Sequence, residues 1–224
     1  MRALFFFLMF TVTMVAGVAA FIWFIARWFF RLSFRPGSAA WDKLVQRLRS
    51  QVEPLAAQLI PWDGETLALL SLNQTQKRKK GVFGHEQQGV FTTIYHEPAV
   101  AFASQTAKNT GLLLARTSNR EFIFRFKEKE TEVWLDKQPL GVLAGDVFLA
   151  AGKSPRQLAR LENAPSESQI FVKIGERPAA ALADPSNQNS PIPRALTLLG
   201  NIPPSEEPVL LALAILRMTE RSKI

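Results

Sequence analysis

Glu121-Phe-Ile-Phe-Arg-Phe-Lys-Glu-Lys-Glu-Thr-Glu-Val-Trp-Leu-Asp-Lys-Gln-Pro-Leu-Gly-Val-Leu-Ala144 alternates from its first residue. Phe122, Phe124 and Phe126 fall at every second position, so an extended strand carries all three rings on one face. Lys127-Glu128-Lys129-Glu130 is a charged turn, after which Val133 and Leu135 resume the alternation. Strand, charged turn and strand make a β-hairpin. A second polar turn, Asp136-Lys137-Gln138, leads into one more apolar run.

Residues 133–144 align without gaps on residues 172–183. Val133 matches Val172, Leu135 matches Ile174, Pro139 matches Pro178, Leu143 matches Leu182 and Ala144 matches Ala183. Both copies read as strand, tight turn, strand, the second turn being Gly175-Glu176-Arg177. The alternative is a chance likeness between two hairpins. Equivalent hairpins predict an antiparallel meander, closed or nearly so, because open edges invite pairing with other chains. Short β-prone runs upstream, at residues 91–95, 100–102 and 112–114, extend the meander.

The C-terminal segment differs. Ser205 is placed to cap a helix, with Glu206 and Glu207 in its first turn and Pro208 tolerated there. Residues 209–216 are eight apolar positions in a row, and Met218 follows. Such a run is too short to span a membrane, and a helix apolar all round is buried all round. Before it, residues 185–193 form a polar linker, and residues 194–199 predict a short helix stopped by Gly200.

At the other end, residues 3–26 are 24 positions without a charge. A helix of that length would cross a bilayer, so a single-pass N-terminal anchor is expected. The competing reading is a cleaved leader ending near Val18-Ala19-Ala20. Arg27, Arg31 and Arg35 follow the run, which puts the rest of the chain on the cytoplasmic side. Ser38 then caps an amphipathic helix bearing Trp41, Leu44, Val45, Leu48 and Val52, limited by Pro54. Pro61-Trp62-Asp63-Gly64 is a turn, and residues 67–72 are a short apolar run, helix or strand. Lys77-Arg78-Lys79-Lys80 reads as a solvated loop or as a headgroup contact.

The chain has 224 residues, no cysteine and a formal net charge of +8. Absent cysteine excludes disulfides, thiolate metal sites and cysteine catalysis. His85-Glu86 and His96-Glu97 lack the spacing of a metal-binding helix face. No phosphate loop, dinucleotide fingerprint or nucleophile elbow occurs. No catalytic, cofactor or metal residue is therefore assigned, and no cofactor is expected. The division expected is an anchor and basic segment over 1–35, an amphipathic helix and linker over 36–60, and a cytoplasmic α+β domain over 61–224. That domain is a small antiparallel β-barrel or curled sheet with a buried apolar C-terminal helix.

A repeated-hairpin meander closed by an all-apolar helix resembles the tubby-like barrel, the family of the phospholipid scramblases and LURP-one-related proteins. The likeness rests on residues 121–135, the paired hairpins and residues 209–218. It implies a barrel threaded by the last helix. The cysteine cluster of the scramblases is absent, and no basic positions match those that bind phosphoinositides in tubby proteins. The role expected is a membrane-anchored, non-enzymatic module that binds lipid headgroups or a partner protein; no nucleic acid is expected. Headgroup contacts would come from Arg27, Arg31, Arg35, Lys77, Arg78, Lys79 and Lys80. The alternatives are a tethered enzyme of unrecognised class and a structural subunit of a membrane complex, the latter packing through Ala16, Gly17, Ala19 and Ala20.

Overall fold

The structure is a computed structural model and describes residues 13–18, 20–22, 35–81, 84–107, 110–163, 169–183 and 194–221. The chain divides into two units, Met1–Val45 and Gln46–Ile224. In the first, the described residues 13–18 and 20–22 are helical and exposed. Ser38 begins helix α1, Ala39–Ala56, and its hydroxyl accepts the Trp41 amide at 3.1 Å.

In the second unit, helix α2 spans Gly64–Leu69. Asp63 caps it, accepting the Thr66 amide at 2.8 Å and the Thr66 hydroxyl at 2.7 Å. The apolar run of residues 67–72 is split: α2 ends at Leu69 and β1 starts at Leu70.

The sheet follows in chain order: β1 Leu70–Gly81, β2 Gly84–Thr93, β3 Pro98–Ala107, β4 Thr110–Arg116, β5 Glu121–Phe126 and β6 Glu130–Leu135. It continues through β7 Gln138–Ala144, β8 Val147–Ala150, β9 Gln157–Asn163, β10 Gln169–Ile174, β11 Arg177–Ala183 and β12 Leu196–Leu198. All 12 strands pair antiparallel with their sequence neighbours. The ends of the sheet meet where Ser71 bridges Arg194 and the Ala195 amide donates to Leu70 at 2.7 Å, so the barrel is nearly closed. Connections alternate between two ends. One carries the β2–β3, β4–β5 and β6–β7 turns, and the other carries the β1–β2 tip.

Cross-strand register shows how the barrel is filled. Gly89, Phe102, Ala115, Phe122 and Leu135 stand opposite one another from β2 to β6, hence on one face. Phe91 and Phe102 stack with centroids 4.4 Å apart. A methyl group on Gly89 would lie 2.1 Å from the Thr75 carbonyl oxygen, so no larger residue fits between β1 and β2 there. Helix α3, Glu207–Arg221, supplies the plug. Residues 209–216 are buried without exception, in one core with Phe91, Phe102, Phe122, Phe124, Phe148 and Val172.

The repeated hairpins are equivalent in detail. Val133 pairs with Gly141 and Trp134 with Pro139; Val172 pairs with Ala180 and Lys173 with Pro178. Both therefore carry one extra residue, Leu140 or Ala179, just after the proline. A proline has no amide to offer the ladder, which suits a bulge.

The outward face of β3 to β5 holds a second buried layer: Ala101, Ala103, Leu112, Leu114 and Ile123. Residues 46–56 of α1 cover it. Their ion pairs run from Arg47 to Glu86 on β2, Arg49 to Glu121 on β5, and Glu53 to Arg116 on β4. Leu48 and Val52 are buried on the same helix.

Several expectations are overturned. The fold is mostly β, with a few short helices, rather than α+β. Among the described residues no helix is long and apolar enough to cross a membrane, so the N-terminal transmembrane helix is withdrawn, and the single-pass membrane location with it. The physical gap is plain. A span needs about 20 continuous helical residues. Here the described helical pieces of residues 3–26 are 13–18 and 20–22, and the rest of that stretch lies outside the described residues. The basic run is a strand, not a loop. Residues 196–198 are strand β12, where a short helix was expected, because Leu196 and Leu198 pair with β11 at the barrel seam. Pro54 lies inside the last turn of α1 rather than beyond its end.

Candidate functional site

The β1–β2 hairpin places the basic run. Lys77, Arg78, Lys79 and Lys80 pair with Gln88, Gln87, Glu86 and His85, and all four cations are exposed. Alternation sends Lys77 and Lys79 to one face and Arg78 and Lys80 to the other, like charges about 7 Å apart on each. Glu86 is the one acid in residues 77–88, and Arg47 already holds it, at 2.9 and 3.0 Å. The hairpin is therefore a two-faced cationic blade with its own carboxylate neutralised by another element.

Past the Ser71–Arg194 bridge, β1 has no strand on its other side among the described residues. Lysines along such an edge discourage sheet addition. Nearer the barrel, Gln74 shares a face with Phe91, and the side-chain oxygens of Gln74 and Gln76 are buried without a hydrogen-bond partner.

Of the other expected contacts, Arg27 and Arg31 lie outside the described residues. Arg35 is exposed and belongs to the Met1–Val45 unit. The two histidines stand at opposite ends of β2, His85 on the strand and His96 in the following turn at a φ of 64°. The strand from His85 to the end of β2 at Thr93 is itself roughly 25 Å long. Among the described residues no three potential metal ligands come together.

The opposite end of the barrel holds a second polar site that sequence reading missed. A cavity of about 530 Å³ is lined by Arg49, Arg116, Ser118, Asn119, Arg120, Glu121, Asp136 and Lys137. Arg49 donates to Glu121 at 2.6, 2.9 and 3.1 Å, and these hydrogen bonds hold the guanidinium pKa above its ordinary value. Asp136 accepts the Glu121 amide at 2.8 Å. Arg120 shares Glu207, the first residue of α3, with the Trp62 indole, at 2.9 and 2.7 Å. The β6–β7 turn supplies Lys137. Three distant stretches build this site, residues 49, 116–121 and 136–137, and the one legible signal was the Asp136-Lys137 turn.

No protein-family model, no curated protein and no solved structure matches the chain.

Proposed function

We propose that the chain is a non-enzymatic module of the tubby-like kind, which binds phosphate-bearing lipid headgroups through the β1–β2 hairpin. Twelve antiparallel strands around an all-apolar helix support the tubby-like reading. The observation that carries the headgroup reading is the unneutralised charge of Lys77, Arg78, Lys79 and Lys80, since the only acid in the hairpin is taken by Arg47. Each such cation near an anionic surface contributes about 1 kcal/mol. A second reading, a protein that adds a strand to β1, rests on the open edge, and the cations along that edge oppose it.

Sedimentation of the full chain with phosphatidylserine and with phosphatidylcholine vesicles tests this. Binding is expected to favour the anionic vesicles and to weaken with salt. Lys77→Ala with Lys79→Ala should lower that binding about 30-fold, at about 1 kcal/mol for each cation, and leave neutral vesicles unaffected. Equal binding to both vesicle types would end the headgroup reading.

A further inference from the structure

We infer that the cavity between the β4–β5 and β6–β7 turns binds a small, free, multiply charged phosphate anion. Its walls carry four cationic side chains, Arg49, Arg116, Arg120 and Lys137, against two carboxylates, Glu121 and Asp136. Glu121 is paired with Arg49, while Asp136 accepts the Glu121 amide and keeps its charge. Arg116 and Arg120 each give one nitrogen to a carboxylate from outside the cavity wall, Glu53 and Glu207. A guanidinium has five N–H donors, which leaves most of each fork for an oxyanion. Glu53 is 70% exposed, so an entering anion displaces it from Arg116 at little cost. The hydroxyl of Ser118 and the amide of Asn119 complete a lining suited to phosphate oxygens.

Lys137 is the key group. Its ammonium has no partner among the described residues, and its backbone is at a φ of 70°, next to Asp136 at 50°. Two positive φ angles mark a type I′ turn, whose second position favours glycine. A lysine there is strained, because its Cβ crowds the following carbonyl oxygen. The equivalent hairpin avoids that strain: Gly175 takes the positive φ, 62°, and Glu176 does not. Strain retained at one position, and relieved at its counterpart, places an unpaired cation at a cavity rim. The site lies at the barrel end opposite the basic hairpin and does not rest on the headgroup reading.

Calorimetric titration of the full chain with inorganic pyrophosphate tests the assignment. The wild type should bind, and Lys137→Gly should bind at least tenfold more weakly while melting at a higher temperature, because Asp-Gly suits the turn. Loss of binding in a more stable protein cannot be ascribed to misfolding. Lys77→Ala with Lys79→Ala should leave pyrophosphate binding unchanged. No heat from the wild type, equal affinity in Lys137→Gly, or loss in the hairpin variant would each overturn the assignment. A fall in vesicle binding caused by Lys137→Gly would overturn the identification of the anion as a free one.

Discussion

Arg49 of α1 grips Glu121 at the first position of β5 through both Nε and Nη2, at distances from 2.6 to 3.1 Å. This fork fastens residues 46–56 onto the outside of the barrel and forms one wall of the cavity. The side chains are 35% and 18% exposed, so water still screens the pair. A double-mutant cycle with Arg49→Ala and Glu121→Ala should give a coupling of about 1 kcal/mol, the upper end for such pairs. It should shrink in high salt. A coupling indistinguishable from zero at low salt would mean that this pair does not help to hold the helix.

Gly89 should not tolerate a side chain. The methyl of Gly89→Ala meets the Thr75 carbonyl at 2.1 Å and the Gln76 Cα at 2.9 Å, both backbone atoms that cannot swing aside. β1 and β2 must part locally, at a cost of roughly 1–3 kcal/mol, as for other overpacked sites. Thermal melting reads the loss, and an unchanged melting temperature would show that the hairpin is looser than its register implies.

The Asp63 cap predicts a dependence on pH. Hydrogen bonds from the Thr66 hydroxyl and amide hold the Asp63 carboxyl below its ordinary pKa. A depressed folded pKa adds stability above the unfolded value, about 4, and that stability is lost as pH falls through the folded value. The melting-temperature advantage of wild type over Asp63→Asn should therefore hold from pH 7 to about 5 and fade below about 4. An advantage that stayed constant down to pH 2 would exclude the carboxylate as its source.

Helix α3 should be indispensable. Leu213 is 1% exposed amid a core drawn from most of the strands. Leu213→Ala should cost about 2–5 kcal/mol, and Leu213→Asp should leave the domain unfolded, since net stability is only about 5–15 kcal/mol. Denaturant melts decide. Cooperative unfolding of a chain ending at Pro204 near the wild-type midpoint would mean that the helix does not fill the barrel.

Much of this barrel was legible because alternation is local. Phe122, Phe124, Val133 and the two proline-bearing hairpins announce their faces in sequence, and residues 209–216 announce burial by having no polar side. The basic run was harder to read. Lys77 to Lys80 have no apolar alternation, and strand β1 forms there because β2 pairs with it, a non-local cause. Leu196 to Leu198 misled for the same reason. Residues 3–26 misled in another way, since an uncharged run states only what a helix would tolerate, and among the described residues no helix is long and apolar enough to cross a membrane. The cavity was invisible, because Arg49, Arg116, Arg120 and Lys137 converge only once α1, β4 and two turns are folded together.

Hydrogen exchange of the full chain, with and without phosphatidylserine vesicles, decides whether the β1–β2 hairpin meets the membrane surface. Slowed amide exchange is expected over residues 73–88, concentrated on Lys77 to Lys80, with no comparable change at the turn of residues 117–120 or at Asp136 and Lys137. Vesicle-dependent protection confined to those turns, or none within residues 73–88 despite binding, would contradict it.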